Sequence, residues 1–179
     1  MTPLADLSAS IAGWSAIVAG RSDAAQQFRA DRAGILVAAL WLLVGMLLSV
    51  AVQSAMYGLP HVVSVLFSLI GEAVTLGLLW LALVQLFRFL RIGSPPLALF
   101  VPILYLLAYV FVISAVLQLV SQAFGLILML GVAILIFRAA QVICGLKTMP
   151  AAGVAGAAFI VLVVVPNALY MLLLFLPSA

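Results

Sequence analysis

The chain has 179 residues, of which 69% are hydrophobic and 6% charged, and its net charge is +3. A soluble domain carries roughly 25% charged residues, so this composition excludes a water-soluble globular fold, and its apolar richness excludes a disordered chain. The single cysteine, Cys144, excludes an internal disulfide, no Cys/His spacing suits a metal, and the seven basic residues form no patch for nucleic acid.

Residues 1–33 read as an arm. Leu4, Leu7, Ile11, Trp14 and Val18 recur at the spacing of one helix face, with Asp6, Ser8, Ser10 and Ser15 on the other. Thr2 suits the N-cap, Pro3 the first helical position and Gly20 the stop. The pattern predicts an amphipathic helix lying in the cytoplasmic interface of a membrane, with Trp14 as its anchor. A second short helix is expected from Ser22 or Asp23. Beyond it, Arg29 and Arg32 are placed to contact lipid head groups. The arm lacks the cationic start, short apolar core and cleavage site of a signal peptide.

Crossing a bilayer takes ~20 apolar residues. Five stretches qualify, at about 34–56, 62–87, 97–120, 124–143 and 151–176. Each is continuously apolar rather than alternating, which points to helices and not to a barrel. Gly58, Leu59 and Pro60 end the first, Gly93 to Pro96 separate the second and third, and Pro150 opens the fifth. Little more than Ser121, Gln122 and Ala123 divides the third from the fourth, so four spans with one long bent segment at 120–125 is the alternative. The expected fold is all-α, a five-helix transmembrane bundle (34–179) preceded by the interfacial helical arm.

The charges give an orientation. Arg21, Arg29 and Arg32 precede the first span, Arg88 and Arg91 follow the second, and Arg138 and Lys147 flank the end of the fourth. With five spans all seven cations share one side. The positive-inside rule makes that side cytoplasmic, with the C-terminus periplasmic. Six arginines against one lysine, with abundant Ala, Leu and Gly, fit a GC-rich bacterium and hence its inner membrane.

Glu72 is the one acid inside a span. It lies ~15 Å from Val62 at the helical rise, near the middle of a ~30 Å hydrocarbon core. An ionisable group at that depth is a functional-site hypothesis. Tyr109, and Asn167 directly after Pro166, lie where they can reach it, so a Glu72–Tyr109–Asn167 cluster facing the bundle interior is the expected site. The alternative is that these groups only tie helices together, at about 1 kcal/mol each. Ala152, Gly153 and Gly156 form a small-residue face suited to helix packing, within the chain or between copies, and Gly71 and Gly77 suit the same use. Trp41 and Trp80 read as packing, and His61, Gln118, Gln122 and Gln141 as solvated helix ends. No catalytic or phosphate-binding motif is present, so neither an enzyme nor a cofactor is expected.

Two stretches carry a resemblance. One is the polar, Phe-containing run Gly20–Gly34 (GRSDAAQQFRADRAG), and the other is the basic turn Phe137–Lys147 (FRAAQVICGLK) before a small-residue final span. With an arm of about thirty residues and five spans, the layout resembles bacterial Yip1-like membrane proteins. The Asp-Leu-Tyr-Gly-Pro signature of eukaryotic members is absent. The resemblance implies a non-catalytic protein that scaffolds or organises the bilayer. A small oligomeric transporter or channel component using Glu72 is the competing expectation. The lipid bilayer is the expected partner, with a homo-oligomer or larger membrane complex beside it.

Overall fold

A computed structural model describes residues 2–58, 62–118 and 124–175. The helices are α1 (Pro3–Ala19), a short 3-10 helix (Ser22–Gln27), α2 (Arg32–Tyr57), α3 (Val62–Phe89), α4 (Leu97–Gln118), α5 (Phe124–Cys144) and α6 (Thr148–Phe175). Among the described residues there is no strand. The five helices α2 to α6 are each long and apolar enough to cross a membrane. The five-span reading holds over the four-span one, since α4 and α5 are separate helices. His61 and Gln122 lie outside the described residues.

The helix ends follow from local chemistry. Thr2 takes the N-cap of α1 and Pro3 its first position, without a side-chain cap bond. Gly20 sits at φ 73°, where its N–H and that of Arg21 reach back to the Ile17 and Ala16 carbonyls, a left-handed turn that favours glycine. Asp31 caps α2, its carboxylate accepting from the Gly34 amide at 2.7 Å.

The centre of the bundle is α4. Its ten consecutive residues 99–108 are all buried, as expected of a helix that is apolar on every side. It packs mainly between α2 and α5, while α6 packs on α5 and α3. The tightest approach is between α2 and α4: a Cβ on Gly45 would lie 2.8 Å from the Ala108 carbonyl oxygen. Trp80 of α3 meets Phe100 of α4 edge-on at 5.2 Å.

Two expectations are corrected. The small-residue face of α6 is not used for packing within the chain. Ala152 and Gly153 are exposed, and a Cβ on Gly153 or Gly156 would meet nothing within 4 Å. The buried face is offset by about one position, to Ala151, Val154, Ala155 and Ala158, because two interleaved small-residue rows occur on this helix and only one can face α5.

The second correction concerns α1. Trp14 is not an interfacial anchor but a core residue, 8% exposed and edge-on to Phe28 at 6.1 Å. The helix docks on α2, α4 and α5 through Asp6, Ser10, Gly13, Trp14, Ala16 and Ile17, leaving Leu4, Ile11 and Val18 outward. Next to lipid the outward face is the bulky apolar one, and small or polar residues turn inward to let backbones approach. A Cβ on Gly13 would come within 2.5 Å of the Phe28 ring. The arm thus contributes Trp14, Ala16, Ile17, Ala24 and Phe28 to the same core as the spanning helices.

Replacing Gly45 with leucine forces α2 from α4 and is expected to cost about 1–3 kcal/mol. Gly153→Leu, with open space around it, should stay within about 0.5 kcal/mol of the parent. Thermal unfolding of both variants in detergent checks the contrast.

Candidate functional site

The structure does not assemble Glu72, Tyr109 and Asn167. It places them at three separate positions, and the Tyr109 hydroxyl is bonded to α1.

Tyr109 rises from the middle of α4 and meets Ser10 at 2.5 Å between the two oxygens. Ser10 also donates to the Leu7 carbonyl at 2.7 Å. The Tyr109 hydroxyl also lies 3.4 Å from the Leu7 carbonyl, so the two hydroxyls share their protons between each other and that one acceptor. One turn before Ser10 is Asp6, only 5% exposed. Its Oδ2 and the Trp14 Nε1 are buried without a hydrogen-bond partner in the protein. The start of α1 is held as well, since Trp41 of α2 donates its Nε1–H to the Pro3 carbonyl at 3.1 Å. Polar contacts therefore seat α1 on both α2 and α4.

Below this seat the chain re-enters α2 through Arg29 and Asp31. Arg29 Nε donates to Asp31 Oδ2 at 2.9 Å. The Gly34 amide first, and then this bond from Arg29, hold the Asp31 carboxyl below its ordinary range. In return, the bond and charge of Asp31, with a smaller contribution from Asp6, raise the guanidinium. Arg29 and Arg32 are both exposed, as their expected head-group contact requires.

Glu72 lies elsewhere, in a groove of about 530 Å³ between α3 and α6. Phe67, Ser68, Gly71, Pro166, Leu169 and Tyr170 complete its lining, and Glu72 is the only ionisable acid or base among them apart from the Tyr170 phenol. Here Gly71 sits in ordinary contact with Leu169, 3.7 Å from where its Cβ would be, so the helices run close beside the carboxyl. Asn167 does not point into this groove's lining. It is exposed and donates Nδ2–H to the Val163 carbonyl at 2.7 Å. That bond reinforces α6 just where Pro166 lacks an N–H for the Leu162 carbonyl. Likewise Thr75 donates to the Gly71 carbonyl at 2.8 Å and Ser114 to the Phe111 carbonyl at 2.9 Å, so these hydroxyls serve their own helices.

Among the described residues no three His, Cys, Asp or Glu side chains converge as a metal site would require.

Ser10→Ala and Tyr109→Phe should each loosen α1 by about 1 kcal/mol, and the double variant should cost little more than either, because both remove one bond. Protease accessibility of residues near the 3-10 helix reads the loosening. Because the folded Asp31 pKa is depressed, its stabilising contribution is complete above about pH 4 and fades as pH falls through the folded value. Asp31→Asn should flatten the acid limb of a melting-temperature profile.

Comparison of the chain with protein-family models, with characterised proteins and with solved structures returns no match, so its function is read from this geometry.

Proposed function

We propose that this chain is a non-enzymatic scaffold or accessory protein of the bacterial inner membrane, Yip1-like in layout, with its N-terminus cytoplasmic and its C-terminus periplasmic. In this reading it self-associates along the α3–α6 edge. The observation that carries it is the position of Glu72. A carboxyl near mid-span stands in a groove at the side of the bundle, beside the helix with the least buried span: 11% of the α3 window is buried, against 67% for α4 and 22% for the others. A polar group at such depth is costly unless it is hydrogen-bonded. A twofold-related copy presents the same groove in return, so that one protonated carboxyl donates to the other or accepts from the facing Tyr170 hydroxyl. The non-enzymatic part of the reading rests on the lack of any catalytic spacing in the sequence.

Oxidative cross-linking in native membranes tests it. Phe67→Cys, in a Cys144→Ser background, should give a covalent dimer, and adding Glu72→Leu should reduce its yield about fivefold, the equivalent of one interhelical bond. A chain that stays monomeric, or cross-links equally with and without Glu72, contradicts the reading.

A transporter or channel component is the second reading, favoured by one observation. The Glu72 groove is walled by Pro166, where the backbone ladder of α6 is broken and a carbonyl is freed for a solute or proton. Carbodiimide labelling of Glu72 that declines with rising pH, together with solute uptake by proteoliposomes that Glu72→Gln abolishes, would place this reading first.

A further inference from the structure

A larger groove, of about 930 Å³ and lined by other helices than the Glu72 groove, opens between α1 and the α2–α4 pair. Its walls are apolar, with Ile11 and Val18 from α1, Val44 and Leu48 from α2, Val112 from α4 and Leu135 from α5. Most of these side chains are 38% exposed or more, so the groove is open to whatever lies beside the protein. One end of it is charged. Arg138 follows Leu135 by three residues on α5 and shares its face, one turn nearer the arginine-bearing end of the bundle. Its Nη2 lies 3.8 Å from where a Cβ would stand on Gly20, two residues beyond Val18. The guanidinium thus stands where the α1 wall of the groove ends. Neither ion pair among the described residues uses it, since these join Arg21 to Asp23 and Arg29 to Asp31.

We propose that this groove binds an anionic phospholipid, one acyl chain lying along the apolar walls and the phosphate accepting hydrogen bonds from Arg138. The two halves of the site match the two halves of that molecule. The walls are largely apolar, their Ser15, Tyr109 and Trp41 groups being already bonded to Ile11, Ser10 and Pro3, and the guanidinium presents the planar donor fork that suits a phosphate. The groove's volume falls within the ~300–1,000 Å³ of small-molecule sites. Held there, the lipid would cover the seam where α1 meets α2 and α4, and its phosphate would neutralise the one cation of α5.

Native mass spectrometry of the full chain, extracted in mild detergent and exchanged with phosphatidylglycerol or phosphatidylcholine, tests this. The expected result is one retained phosphatidylglycerol, favoured about tenfold over phosphatidylcholine, with that preference lost in Arg138→Gln and partly kept in Arg138→Lys. Val112→Trp, which fills the groove and leaves the arginine, should lower retention of both lipids and remains informative if the Arg138 variants fail to fold. Equal retention of the two lipids by the parent chain, or retention unchanged by Val112→Trp, overturns the proposal.

Discussion

Everything else in this bundle is arranged around the burial of α4. A helix with no polar face has no side to turn to water, and ten successive buried residues leave it no side turned to lipid over that length either. In a bilayer the attraction between helices comes from close packing and a few hydrogen bonds, not from expelling water. The neighbours must therefore come near. α2 does so where Gly45 lacks the Cβ that would strike the Ala108 carbonyl, and α1 does so through Ser10, which meets Tyr109. Pro102, fully buried within α4, frees a backbone carbonyl one turn earlier, close to the helix start where such groups are easiest to satisfy.

The polar side chains divide into two groups with different consequences. Ser10, Tyr109 and Trp41 fix the arm to the bundle, and their partners come from within the chain. Glu72 faces a lateral groove instead, with no acid or base from another helix beside it except a tyrosine. A bundle whose only mid-span carboxyl stands at its flank has its chemistry directed sideways, toward lipid or another protein. The two grooves share this property, being open along the membrane plane on different helix pairs, one carrying an acid at depth and the other a base at its end.

Much of the fold was legible in the sequence, because hydrophobic runs of membrane length and the Gly/Pro breaks between them have a direct physical meaning. The start of α1 at Pro3, its stop at Gly20, the short helix from Ser22 and the five long helices all follow from such signals. Facing was harder to read. Periodicity shows that α1 has two faces but not which one is inward, and the inward face takes residues from both, Trp14 and Ile17 beside Asp6 and Ser10. Depth along a helix put Tyr109 and Glu72 at comparable levels, yet depth says nothing about azimuth, and the two residues line different grooves. Asn167 could be placed beside Pro166, but its bond to the Val163 carbonyl depends on a rotamer. Gly45, a glycine in the middle of α2, is the sequence signal for the close approach to α4.

The seat of α1 has a consequence for how the chain is made. Ser10 and Tyr109 are 99 residues apart. At ribosomal speeds of roughly 5–20 residues per second, the arm emerges on the order of 5–20 s before its partner helix. Through that interval Ser10 lacks its Tyr109 partner, so α1 can lean on α2 alone and completes its seat only after the third span has been made.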